Sequence, residues 1–136
     1  IEKYVKRINF FNNFKIIEIN STKTKKNNAI EIKKIESENI LKNIKKNDLL
    51  FLLDEKGKNY DSREFAEFLE IKFQESKTIV FVIGGAFGFS KDLYSKSVGL
   101  ISLSRMTFSH QIIRLFFTEQ LYRAFTILNN HPYHND

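Results

Sequence analysis

The chain closes on His131-Pro132-Tyr133-His134-Asn135-Asp136. Histidine accepts protons near neutral pH, and tyrosine offers a ring and a hydroxyl. Such a tail could act on a substrate that must lose a proton, or it could be a frayed end. Upstream, Glu119 and Arg123 stand four apart with the acid first. That is the favourable orientation for a helical ion pair, and it fits an ordinary surface salt bridge equally well. In Leu103-Ser104-Arg105-Met106-Thr107-Phe108-Ser109-His110, Arg105 and His110 flank apolar Met106 and Phe108. The arrangement can hold a flat ring and meet a charged group, or tuck its aromatics into a core. Two more segments carry unusual residues: Leu53-Asp54-Glu55-Lys56-Gly57-Lys58 and Gly84-Gly85-Ala86-Phe87-Gly88. Glycines at 84, 85 and 88 let a backbone approach a ligand closely and permit positive φ. Their spacing is not the dinucleotide fingerprint, and no Lys-Ser/Thr follows as in a phosphate-binding loop. A tight turn explains them too.

Composition removes several classes of function. With no cysteine there is no disulfide, thiolate nucleophile or cysteine-bound metal, and three histidines make a poor zinc set, so no metal is expected. The longest uncharged run, Thr78 to Ser90, is interrupted by glycines and falls short of the ~18 apolar residues of a membrane span. Nothing at the start of the sequence resembles a signal peptide, so none is expected. The expectation is a cytoplasmic protein without membrane contact. Fourteen phenylalanines and five tyrosines in 136 residues argue for one ordered domain spanning residues 1–136. Residue 1 is isoleucine and residues 1–8 already read as helix, so the natural N-terminus is expected to lie further upstream.

The net charge of +6 is uneven. Residues 1–46 hold 12 Lys and Arg against 5 acids, and residues 47–136 hold 10 against 11. The densest basic cluster is Lys23, Lys25 and Lys26. A basic first third suits a polyanion such as RNA. It also suits a generic solvated face in a chain rich in Lys, Asn and Ile.

The elements that must position these residues alternate. Phe14–Ile19 is rich in β-branched residues and reads as a strand, with a loop over Asn20 to Asn28. Ala29 to Ile44 reads as an amphipathic helix. Leu49–Leu53 is a short apolar run, as in a strand buried on both faces. Asp61 to Phe73 reads as a helix with Asp61 as N-cap. Thr78–Ile83 is a strand, Ser90 can cap a short helix running to Lys96, Leu100–Leu103 is a strand, and Gln111 to Leu128 is the longest helix. This alternation predicts an α/β fold with a mainly parallel sheet and helices on both faces. The three unusual segments then converge where ligands gather in such sheets. Apolar residues cover more than one face of the last helix, which therefore needs burial on two sides, in the fold or against another subunit.

The strings Ser104-Arg105-Met106-Thr107-Phe108-Ser109-His110-Gln111, Arg114, Glu119-Gln120-Leu121-Tyr122-Arg123-Ala124 and His131-Pro132-Tyr133-His134 resemble the small SPOUT-class methyltransferases of bacterial large-subunit ribosomal RNA. Leu53-Asp54-x-x-Gly57-Lys58 and Val82-Ile83-Gly84-Gly85-x-x-Gly88 fall in that family's order and spacing. The similarity covers essentially the whole chain. It implies a SPOUT-type α/β knot, trefoil-knotted, in a homodimer formed with the last helix. It further implies S-adenosyl-L-methionine in the knot and methylation of N3 of a pseudouridine in ribosomal RNA, on the ribosome. By position, the cofactor contacts fall on Leu53, Gly84, Gly85, Gly88, Leu103, Ser104, Arg105, Met106, Thr107 and Phe108. The catalytic positions fall on His134 as proton acceptor, Tyr133 orienting the base, and Glu119 and Arg123 either ordering the tail or contacting the nucleotide. Lys23, Lys25, Lys26, Arg105, His110 and Arg114 are the expected RNA contacts.

The chain departs from the family at Ser109, where proline is usual, and at Ala86 and Phe87 in the glycine loop. The family also opens with a short strand before the helix that begins here, so a sheet lacking that strand is expected. Two other readings remain: a non-catalytic RNA- or ribosome-binding dimer of the same fold, and a small-molecule-binding α/β domain. Cofactor affinity separates the enzyme from the first, and salt-dependent RNA binding separates it from the second.

Overall fold

A computed structural model describes residues 1–19, 29–76, 78–84 and 88–135. The elements run α1 (Glu2–Phe11), α2 (Ala29–Leu41), β1 (Leu49–Asn59), α3 (Ser62–Glu75), β2 (Ile79–Ile83), α4 (Lys91–Lys96), β3 (Gly99–Ser102) and α5 (His110–Leu128). The strands form one parallel sheet in the order β2-β1-β3. Leaving β1 for β2 and then crossing back to β3 reverses direction. Crossovers of one hand therefore place α3 and α4 on opposite faces.

Side-chain alternation along β1 divides the core accordingly. Phe51 faces a cluster with Phe65, Ala66 and Leu69 of α3, Ile8 of α1 and Phe117, Leu121 and Phe125 of α5. Leu50 and Leu52 face the other side, with Val82, Phe89 and Leu93 and, at its rim, Ile40, Leu41 and Ile44. Both leucines are essentially sealed from water, so truncating either to alanine costs about 2–5 kcal/mol. A capping box starts α3: the Glu64 N–H donates to Asp61 Oδ1 at 2.8 Å, and the Asp61 N–H donates to Glu64 Oε1 at 2.9 Å.

The expected strand at Phe14–Ile19 does not form; those residues have no regular structure. Phe14 and Ile16 are half-buried while Lys15 and Ile17 are exposed, so the two-residue rhythm is real but no described strand lies alongside to complete a ladder. β-branched composition reports a half-buried extended surface, not a partner. Lys23, Lys25, Lys26 and the loop expected at Asn20 to Asn28 lie outside the described residues, as do Gly85, Ala86 and Phe87.

Candidate active site

The three strand ends meet in register. Leu53 pairs with Ile83 on one side and Ile101 on the other, so Asp54, Gly84 and the segment beginning at Leu103 leave the sheet at one edge. β1 does not stop there. Residues 54–57 bulge out and the strand resumes, Lys58 again facing Ile101. Gly57 makes the return possible, because a Cβ there would lie 2.6 Å from the Ile101 nitrogen and the Leu100 carbonyl carbon. Asp54 Oδ1 accepts from the Lys56 N–H at 2.9 Å, and Tyr94 donates its hydroxyl to Asp54 Oδ2 at 2.5 Å. Burial first, then Asp54, pushes the Tyr94 phenol up to about 12. Thr107 donates to Glu55 Oε2 at 2.9 Å, tying the third loop to the bulge.

Gly84 gives room to Phe89, whose ring atoms lie 2.8 Å from where a Cβ would stand. Gly88 takes φ +77 with open space around it. In the third loop the Met106 N–H donates to Ser104 Oγ at 2.9 Å, and Ser102 donates to the Ser104 carbonyl at 2.8 Å. Leu103 is half-buried, whereas Arg105, Met106, Thr107, Phe108 and His110 are exposed, Met106 at 71%. Ser109 accepts from the Ile112 N–H at 3.4 Å and so caps α5. The serine supplies the acceptor a helix start needs, which proline cannot. Arg114 pairs with Glu18 at 2.6 Å, so its charge is met within the chain rather than offered freely to a polyanion.

At the other end of α5 the chain reverses. Asn130 adopts φ 56; the Asn130 N–H donates to the Ile127 carbonyl and the His131 N–H to the Thr126 carbonyl. This is a Schellman closure, with asparagine tolerating the left-handed position. It lays Tyr133 and His134 back along the helix. Glu119 and Arg123, one helical turn apart, receive them. Arg123 Nη2 donates to Glu119 Oε1 at 2.7 Å and Tyr133 donates to the same oxygen at 2.9 Å. Gln120 Nε2 donates to Glu119 Oε2 at 3.0 Å, and Ser62 donates to Gln120 Oε1 at 2.8 Å, anchoring the carboxylate to the first turn of α3. The Arg123 guanidinium carbon lies 4.8 Å from the Tyr133 ring centroid, and Arg123 Nη1 sits 3.1 Å from His134 Nδ1. A guanidinium only donates, so Nδ1 accepts and the neutral ring carries its proton on Nε2. Its hydrogen bond to Glu119 holds Arg123 above the ordinary arginine value. Burial, then Glu119, holds the Tyr133 phenol well above the ordinary tyrosine range. Tyr133 is thus a donor, not a base, at any physiological pH.

The expected catalytic quartet of Glu119, Arg123, Tyr133 and His134 therefore comes together within one chain. It connects to the third loop through Phe116, which packs edge-on against Phe108 with centroids 5.8 Å apart. From Phe116 an open groove of about 310 Å³ reaches Glu119, lined also by Tyr4, Leu115 and Gln120. Sequence reasoning missed Gln120, Ser62, Tyr4 and Tyr122. Gln120 follows Glu119 directly, but its partner Ser62 is 58 residues away and only the fold reveals it. Among the described residues, no helix is long and apolar enough to cross a membrane, and no three His, Asp or Glu side chains could hold a metal ion.

Residues 1–134 match the family described as "Predicted SPOUT methyltransferase". A protein of Flavobacterium psychrophilum is 51% identical over 99% of this chain and 87% of its own length. One of Flavobacterium johnsoniae is 50% identical over the same shares, and one of Phocaeicola vulgatus 49% identical over 100% of this chain and 88% of its own. All three carry the name ribosomal RNA large subunit methyltransferase H. With a parallel sheet presenting three loops at one edge and a tail folded onto its last helix, the chain belongs to the SPOUT methyltransferase family.

Proposed function

We propose that the protein transfers a methyl group from S-adenosyl-L-methionine to N3 of a pseudouridine in large-subunit ribosomal RNA, on the ribosome, as a homodimer. The observation that carries this reading is the tail quartet, poised on the helix whose first turn bears the third loop. The names of its relatives agree with it. Leu53, Gly84 and residues 103–108 would hold the cofactor. The open backbone at Gly88 and the exposed apolar surfaces of Met106 and Phe108 suit a flat purine, and Asp54 and Glu55 suit a neighbouring cationic sulfur. When bound, the sulfonium supplies a methyl that needs no further activation.

The chain's own task is to position the base, exclude water and remove the N3 proton. Tyr133, locked as a donor to Glu119, presents its ring as a wall. His134 takes the proton at Nδ1, which requires Arg123 to release that nitrogen. A second role leaves the Arg123 contact to Nδ1 in place: Nε2–H donates to a base carbonyl beside N3, where negative charge develops, and the N3 proton passes to solvent. His134→Gln keeps a donor but not a base. If it retains transfer while His134→Ala does not, the donor role holds; if both lose transfer, the base role holds.

The apolar stripe of Ile112, Leu115 and Phe116, exposed beside Met106 and Phe108, is the surface a second copy would cover about a twofold axis. Arg105 and His110 are left at its edge for phosphate. The test is incubation with ribosomes lacking the modification and labelled S-adenosylmethionine, followed by mass spectrometry of the RNA. N3-methylpseudouridine is the expected product. Ribosome binding without incorporation would instead establish the non-catalytic alternative.

A further inference from the structure

We infer that a groove between α1 and the end of α5 binds an unpaired nucleotide flanking the one that reacts. The inference rests on the proposal that ribosomal RNA is the substrate, and it assigns a site none of the expected RNA contacts includes. The groove has a volume of about 380 Å³ and is lined by Lys6, Arg7, Phe10, Phe11, Tyr122 and His131.

Three observations converge on a nucleotide. Lys3, Lys6, Arg7 and Phe10 recur at helical spacing on one exposed face of α1, and among the described residues none of the three cations has a carboxylate partner. Phe10 is 84% exposed and stands perpendicular to the Phe11 ring at 5.2 Å, so most of its ring lies open to solvent and packing does not account for it. Arg7 lies 5.7 Å from the Tyr122 ring centroid, and the Tyr122 ring stands 4.7 Å from that of Tyr133. One ring therefore separates the groove from the tail quartet, as adjoining nucleotides of one strand require.

Cations for phosphate beside an uncovered aromatic face for a base are the means by which proteins hold single-stranded RNA. A second copy of the chain would bring its own three cations against these, which like-charge repulsion opposes.

The experiment measures equilibrium binding to ribosomes across a salt series, with methyl transfer read separately on the same preparations. Phe10→Ala is expected to weaken binding about tenfold, with Phe10→Trp restoring it. Lys6→Gln should lower the log–log salt slope by about one. In transfer assays the loss should fall on KM for ribosomes rather than on kcat, with cofactor affinity at the wild-type level. Wild-type affinity and salt slope in both Phe10→Ala and Lys6→Gln would overturn the inference. So would a change in molar mass by light scattering in Phe10→Ala, which would give the groove to a second copy. Wild-type protein that binds ribosomes without methylating them would defeat the proposed activity instead, and the groove would still be judged on binding.

Discussion

The two ends of α5 are built differently. At its C-terminal end, four side chains separated by up to 15 positions are locked by hydrogen bonds, and both oxygens of Glu119 are occupied. At its N-terminal end, the third loop holds its shape through backbone and serine bonds while presenting Arg105, Met106 and Phe108 to solvent. A tail that handles protons needs fixed hydrogen-bond roles before substrate arrives. A loop that accepts a ligand needs surface left uncovered. Under the proposed function, chemistry belongs to one end and binding to the other.

That division can be broken most sharply at Glu119. Glu119→Gln removes the charge that Arg123, Tyr133 and Gln120 share, and methyl transfer should fall about 100-fold or more while calorimetry shows cofactor affinity kept. Gly57→Ala acts at the opposite end. The added methyl meets β3 backbone, so overpacking of about 1–3 kcal/mol is expected, seen as a melting point several degrees lower and as weaker cofactor binding.

Asn130→Ala forces a side chain ill-suited to φ 56 into the turn that folds the tail back, at about 1 kcal/mol, whereas Asn130→Gly should be nearly neutral. The readout is the ratio of transfer to cofactor binding, which Asn130→Ala alone should lower. The smallest effect concerns Tyr94. Its phenol is raised in the fold, so it holds its proton where the unfolded chain has lost one. Its stabilising contribution is complete below about pH 10 and is lost as pH rises toward about 12. Tyrosinate absorbance should show two phenols titrating late, Tyr94 and Tyr133, and Asp54→Asn should return part of the Tyr94 shift, burial retaining the rest.

Local chemistry made much of this molecule legible in the sequence. Asp61 and Ser90, both expected as caps, sit at helix starts where their side chains accept from the backbone. The apolar runs 49–53 and 79–83 became paired parallel strands, the first at the centre of the described sheet with side chains packed on both faces. Pairing and long-range contact were not legible. Phe14–Ile19 had strand composition but no strand beside it among the described residues. β1 ran on to Asn59 because Gly57 fits under β3, which no local signal near Gly57 announces. The four tail residues could be named, yet their assembly depends on a left-handed turn at Asn130 and on Ser62 of α3 reaching Gln120 of α5, 58 positions away, which no local pattern announces.

The most direct test of the division between the two ends is one experiment on His134→Ala: cofactor titration by calorimetry and methyl transfer to unmodified ribosomes, on the same preparation. Cofactor affinity close to that of the wild type with transfer reduced about 100-fold or more is the result expected. Equal losses in both would contradict it, and would mean that the tail helps to hold the methyl donor rather than acting on the base.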